Sequence, residues 1–300
     1  MPPGEAAQFL HSAWPNQLFQ MHGQEERLQA FTSLPFLGSL DALLNFWPHS
    51  VSVHLPDLAD EASAIEVTSR HAKKCFDNKM SLLFNEVQRI SPSLNQCLQE
   101  IKLTLGMPAM THARCMVYAT PDGKGTAAHF DQNVNFVFQL TGTKKWWLAP
   151  NREVASPTQR HTLGTAVDPE LESYLDQPLP QLFPKEATSV ILKPGSVLFI
   201  PQGYYHRTEA EGAALSLNFT FSQPNYVDLF TTALRSRLLL SPEWREYADG
   251  AGSLQTNTQE FAEEKLDLLL QELIQDLPNW KARDILGATE EKSIGNNAPN

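Results

Sequence analysis

The stretch TAAHFDQNVNFVFQLTGTKKWWL, residues 126–148, decides the fold. From Asn133 to Leu140 polar-leaning and apolar positions alternate, the period of a strand whose successive side chains leave opposite faces. Thr141-Gly142-Thr143 then leads into Lys144-Lys145-Trp146-Trp147-Leu148, and a glycine between two strand-like runs predicts a hairpin. A second β block follows Lys193-Pro194-Gly195, with Ser196–Ile200 and then Leu215–Phe221, where Leu215, Leu217, Phe219 and Phe221 alternate with Ser216, Asn218 and Thr220. Between the blocks, residues 150–187 hold six prolines and several acids, which predicts a long insertion with little regular strand at the rim of a site.

Outward from this centre, Ser81–Val87 and Arg114–Ala119 read as strands on either side of a helix at Leu94–Leu105. Short helices, Leu40–Leu44 the clearest, precede a strand at Val51–Leu55. Beyond Pro224 the apolar spacing becomes helical, at Val227–Leu240 and Thr258–Leu277. Many short strands flanked by helices predict a mainly β fold, closed or double-sheeted. The expected organisation is a helical lead-in over 1–80, a β catalytic domain over 81–223, a C-terminal helical region over 224–286, and a polar tail over 287–300 that is expected to be disordered.

In 300 residues, Lys plus Arg number 23 and Asp plus Glu 34, a net charge of −11. That field repels phosphate backbones and anionic headgroups, which argues against bulk nucleic-acid binding, and no apolar run approaches a membrane span. Met-Pro-Pro-Gly-Glu lacks a basic start followed by an apolar core, so no signal or transit peptide is expected and the default location is cytoplasmic. Cys75, Cys97 and Cys115 are odd in number and suit neither a disulfide framework nor paired metal ligands; they are expected to be reduced thiols.

The chemistry centres on His129 and Asp131. Two apart on a strand, they point the same way, and His206 after Tyr204-Tyr205 is available as a third donor. Two histidines and one carboxylate leave coordination positions open and suit an Fe(II) that must also take a chelating cosubstrate and dioxygen. Alone, a His-x-Asp pair reads equally as a buried ion pair. Its company points to a site, because Asn135, Val137 and Gln139 continue the same parity and Asn218 joins from the last strand. A polar row inside a barrel needs a ligand or water. Lys144, after the turn, is placed to pair with the far carboxylate of a dicarboxylate, with Lys145 as the alternative.

Together, Thr126-Ala127-Ala128-His129-Phe130-Asp131, then Asn135, Gln139, Gly142 and Lys144, with Leu83–Val87 and Pro194–Pro201, closely resemble the JmjC and cupin-like 2-oxoglutarate oxygenases. The likeness covers about residues 80–225 and is greatest to the asparaginyl hydroxylases and the bacterial ribosomal-protein hydroxylases. It implies a double-stranded β-helix, or jelly roll, with iron ligands at His129, Asp131 and His206. It implies that Thr126 and Lys144 bind the far carboxylate of 2-oxoglutarate, and that Asn135 and Asn218 sit beside the near carboxylate and the iron. The tyrosine that the family often supplies from an earlier strand stays open among Leu83, Asn85 and Tyr118. The implied reaction consumes 2-oxoglutarate and O2 and yields succinate, CO2 and a hydroxylated side chain.

A protein or peptide substrate is expected. The resembled enzymes act on polypeptides, the 150–187 insertion can wall a groove, and the net charge favours a neutral or basic partner. A small amino-acid-derived metabolite, removal of N-methyl groups, and a metal-binding cupin that is not an oxygenase stay open beside it. The C-terminal region is shorter than the dimerisation and winged-helix region of the ribosomal hydroxylases. Its stripe of Ala262, Leu266, Leu269, Leu273 and Leu277, broadened by Leu270 and Ile274, predicts a homodimer through the C-terminal helices.

Overall fold

In the computed structural model, residues 3–56, 63–252 and 256–287 are described, so the tail from 288 onward lies outside the described residues. In chain order the elements are α1 (Pro3–Ser12), β1 (Phe19–Met21), α2 (Glu25–Thr32), α3 (Leu40–Phe46), β2 (Val51–His54), β3 (Ala64–Val67), α4 (Ser69–Asp77), β4 (Leu82–Phe84) and α5 (Pro92–Thr104). The strands β5 (His112–Thr120), β6 (His129–Phe130), β7 (Val134–Ala149) and β8 (His161–Thr162) follow. After them come α6 (Pro169–Glu172), β9 (Thr188–Leu192), β10 (Val197–Ile200), β11 (Tyr205–Ser222), α7 (Tyr226–Leu238) and α8 (Thr256–Asp276). Local chemistry sets several boundaries. Ser91 accepts from the Leu94 amide with Pro92 in the first helical position of α5, and Asn225 with Asp228 forms a reciprocal capping box on α7. The strand expected over Ser81–Val87 stops at Phe84, because Glu86 adopts a left-handed φ of 57° and leads into a 3-10 turn.

The two long strands build the barrel. The first half of β7 lies between β10 and the second half of β11, which pairs onward through β5, β4, β2 and β3. The second half of β7 lies between β9 and the first half of β11, whose next neighbour is β6 and then β8. β7 and β11 thus pass from one antiparallel sheet into the other, and the two sheets form a jelly roll with its core between them.

Here the expected hairpin fails. Thr141-Gly142-Thr143 does not reverse the chain; β7 runs unbroken through it. Gly142 has φ 67°, and a Cβ there would run into the carbonyl of Ala213 on β11. Glycine serves as a kink that permits close backbone approach. From Gln139 to Lys144 β7 spends five residues while β11 spends six, from Ser216 to Ala210, with register shifts between Glu211 and Ser216. The inward face of β7 therefore changes from odd to even positions, whereas that of β11 stays even.

One compact unit runs through Gly106 and from His112 to Ser222; a second joins Met107–Thr111 to the chain from Gln223 onward. In the second, the stripe predicted on α8 divides. Leu269 is buried and Ala262 and Leu273 half-buried, while Leu266, Leu270, Ile274 and Leu277 are exposed. No described helix is long and apolar enough to cross a membrane.

Candidate active site

A cavity of about 110 Å³ opens between the two sheets, and the sequence-predicted residues converge on it. His129 begins β6 and stands opposite His206 near the start of β11, and their rings lie 4.1 Å apart between centroids. Asp131 follows β6 in a loop whose carbonyl accepts from the Gly203 amide at 2.8 Å. Its Oδ1 is 3.8 Å from His129 Nε2 and its Oδ2 is 3.6 Å from His206 Nε2; one donor atom from each residue lies within 4.8 Å of the others.

Both imidazoles are oriented for coordination. His129 Nδ1 meets the Ala127 carbonyl at 2.7 Å and His206 Nδ1 meets the Tyr204 carbonyl at 2.9 Å. A carbonyl only accepts, so Nδ1 carries the proton and a neutral ring presents its Nε2 lone pair to the triad. Trp146 stacks on His206 at 5.8 Å. Asp131 is held from two sides: Asn135 Nδ2 donates to Oδ2 at 3.1 Å, and Arg160 Nε lies 3.2 Å from Oδ1. This oriented donor set, two nitrogens and one carboxylate with room beside it, fits a divalent first-row metal.

Lys144 is the second focus. Its side chain is buried, 3% exposed, with Nζ 3.5 Å from Ser216 Oγ and 5.9 Å from the Tyr118 ring centroid. Burial pulls its pKa down to about 8. Among the described residues no carboxylate pairs with it. An enclosed ammonium with a hydroxyl and an aromatic face beside it, and no described carboxylate paired with it, fits an incoming carboxylate. Lys145, the alternative, instead lies 4.7 Å over the Trp147 ring and does not line the cavity. Thr126 lines the cavity near Thr208, whose hydroxyl accepts from the Thr126 amide at 3.0 Å and donates to its Oγ1 at 3.3 Å.

Of the remaining predicted residues, Asn218 lines the cavity with Oδ1 buried and lacking a hydrogen-bond partner. Asn135 lines the cavity too and is held at both ends of its amide, donating to Asp131 and accepting from Thr220 Oγ1 at 2.6 Å. Gln139 departs from the expected polar row. It does not line the cavity; its Nε2 donates to the Thr141 and Leu215 carbonyls, at 2.8 and 3.3 Å, where β7 and β11 kink. Of the three residues left open, Tyr118 reaches the cavity, while Leu83 and Asn85 do not line it. Arg114, Met116, Trp146, Arg160 and Thr208 also line it and were missed. Alternation along β5 with Tyr118 marks Arg114 and Met116 in retrospect; nothing periodic marks Arg160.

Comparison with known proteins agrees with this geometry. Residues 93–229 match the JmjC domain family. The chain is 31% identical over 281 residues to YxbC, an uncharacterized protein of Bacillus subtilis (strain 168), covering 92% of this chain and 84% of that one. It is 30% identical over 136 residues to ribosomal oxygenase 1 of Rattus norvegicus, covering 45% of this chain and only 20% of the relative. A structure of YcfD, a ribosomal oxygenase from Escherichia coli in complex with cobalt and succinic acid, superposes with a TM-score of 0.55 at 17% identity, over 96% of this chain and 70% of that one. The likeness at that identity is one of fold. With family, fold and a converged His129, Asp131 and His206 in agreement, the chain belongs to the JmjC-domain family.

Proposed function

We propose that this protein is an Fe(II)- and 2-oxoglutarate-dependent dioxygenase that hydroxylates a side chain of a protein or peptide. The observation that carries the reading is the pairing of the His129, Asp131 and His206 donors with the buried Lys144, which no described carboxylate pairs, in one cavity. A metal at the first and a cation at the second suit a cosubstrate with a chelating end and a distant carboxylate. When bound, Fe(II) supplies the redox chemistry by which 2-oxoglutarate and O2 become succinate and CO2, with one oxygen atom inserted into a substrate C–H bond.

His129, Asp131 and His206 would hold the metal. Asn135 and Arg160 keep Asp131 turned toward it, and the two backbone carbonyls keep each histidine in the coordinating tautomer. Lys144 would anchor the far carboxylate with Thr126 and Tyr118 beside it. Asn218, with an unsatisfied buried acceptor, would lie beside the near end. The polypeptide substrate is supported by the names of the ribosomal oxygenases among the relatives, of which the chain spans only a fraction. A cytoplasmic protein without bulk nucleic-acid binding fits the charge of −11, and the exposed Leu266, Leu270 and Ile274 of α8, with Leu277 just past its end, fit a homodimer.

The test incubates iron-loaded protein and 2-oxoglutarate with cell extract separated by size, following succinate and mass gains of one oxygen. Oxidised polypeptide is expected. Turnover confined to the small-molecule fraction would replace the polypeptide by a metabolite, and metal binding without any succinate would leave a cupin that is not an oxygenase.

A further inference from the structure

Four charged side chains line the cavity, Arg114, Lys144 and Arg160 against Asp131, so its walls carry a positive surplus inside a chain of net charge −11. On the reading above, a divalent metal and a dicarboxylate cosubstrate cancel one another and leave that surplus in place. Asp131 and Lys144 are each taken up in holding one of them. Arg160 is engaged by Asp131 and by Thr162, whose hydroxyl accepts from it at 2.7 Å.

Arg114 is placed differently. It lies on β5 four residues before Tyr118 and on the same face, about 13 Å along the strand from the Lys144 end. Its cross-strand neighbour on β11 is Thr220, which bonds Asn135, which in turn bonds Asp131. Arg114 therefore belongs to the metal end of the cavity and Lys144 to the other. Its Nε is buried without a hydrogen-bond partner, and among the described residues no carboxylate pairs with it. A desolvated guanidinium N–H is costly until an acceptor completes it, and the planar fork is matched by a carboxylate.

We propose that the prime substrate presents a carboxylate to Arg114, so that the enzyme selects an acidic group close to the carbon it hydroxylates. This rests on the oxygenase reading and names its substrate class, an acidic residue of a polypeptide or a free acid of similar size. The negative charge of the whole chain does not oppose it. That charge is spread over a surface screened within about 8 Å at physiological salt, whereas Arg114 acts at contact distance inside the cavity. The neutral or basic partner expected from net charge alone thus gives way, at the site, to an acidic one.

The test uses the full chain with Mn(II) and 2-oxoglutarate under nitrogen, so that binding is read without turnover. One arm measures, by fluorescence polarisation, labelled peptide pools whose central residue is Asp, Glu, Asn, Gln, Lys or Arg. The other titrates free aspartate, glutamate and their amides by calorimetry. Acidic probes should bind on the order of tenfold or more tightly than their amides in at least one arm, and which arm responds identifies the source of the carboxylate. Arg114→Gln should erase the preference, Arg114→Glu should turn it toward Lys- and Arg-centred peptides, and Arg114→Lys should keep part of it and so control for folding. Equal binding of acids and amides in both arms, or a preference that survives Arg114→Glu, overturns the proposal. Failure of the wild-type chain to bind Mn(II) or 2-oxoglutarate appears separately in the control titration and overturns the oxygenase reading instead.

Discussion

The barrel strands and the 150–187 insertion both reach Asp131, by different means. From the barrel, Asn135 arrives on a strand paired on both sides, and its distance of 3.1 Å follows from register. From the insertion, Arg160 arrives at 3.2 Å on a segment tied to the barrel by a two-residue bridge, Thr162 opposite His129 and His161 opposite Phe130. The rest of the insertion is fixed by packing: Val154, Leu171 and Leu179 are buried with Phe130, Ala149 and Tyr205 of the barrel. A regular strand can place a polar side chain by repetition, whereas an irregular segment needs its own apolar anchor before it can place one. The insertion is therefore a packed wall that supplies a second hold on a metal ligand, and each following measurement separates the two contributions.

The largest effect belongs to the ligand both regions share. Asp131→Ala leaves two nitrogen donors and removes the only carboxylate of the triad, and Mn(II) binding by calorimetry should weaken at least about a hundredfold while the chain stays folded. Wild-type affinity in a folded variant would remove Asp131 from the site. Next in size is the barrel's own cation. Lys144→Ala should weaken 2-oxoglutarate binding to the Mn(II) form by on the order of tenfold or more, and Lys145→Ala should leave it nearly unchanged, since Lys145 rests on Trp147 outside the cavity. The reverse ranking would mean that the face of β7 had been assigned the wrong way round.

That choice of lysine shows what the sequence could carry. Strict alternation from Asn135 and Val137 would have put Lys145 inside; Gly142 kinks the strand, five residues oppose six, and Lys144 turns inward instead. The motif was readable because glycine sits where two backbones crowd, but its reading as a hairpin turn was not, because only the pairing partner reveals whether a glycine reverses a strand or bends it. His129, Asp131, His206 and Asn218 were readable as types at fixed parity. Arg160 was not, because its position depends on packing between segments far apart in the chain. Arg114 was hidden in another way: β5 was recognised as a strand, yet nothing local tells which of its faces looks inward. On α8, six apolar residues at mixed spacing, with Leu277 just beyond, merge two faces into one stripe, and the structure turns Leu269 inward while Leu266, Leu270 and Ile274 face out.

A smaller effect tests the insertion directly. Residues that orient a metal ligand typically change affinity by about tenfold or more when removed. Asn135→Ala and Arg160→Ala should each weaken Mn(II) binding by about that factor, and Arg160→Lys should recover part of the loss because it restores a cation beside Oδ1. If only Asn135→Ala changes affinity, the insertion covers the site without holding Asp131.

A last measurement separates the two cations by their chemistry. Burial in the barrel brings Lys144 down to about 8 in the free protein, whereas an arginine keeps its proton across the accessible range. A bound carboxylate favours the charged ammonium and so raises that value. Below pH 8 the ammonium is already charged and 2-oxoglutarate meets its partner at no protonation cost. As the pH rises through 8 the free protein loses the charge, binding must then take up a proton, and affinity should fall by up to about tenfold per unit until the higher value of the bound state is reached. The cosubstrate carboxylates are ionised throughout pH 7.5 to about 9.5 and ordinary imidazoles are neutral there, so neither adds to the slope. Calorimetry of the Mn(II) form in two buffers of different ionisation enthalpy measures the proton uptake. Lys144→Arg keeps a fixed charge and should bind with a flat profile and no uptake. A wild-type affinity that is flat or rises over this window, or the same slope in Lys144→Arg, would place the anion's partner elsewhere and leave the insertion's Arg160 as the cation to test in its stead.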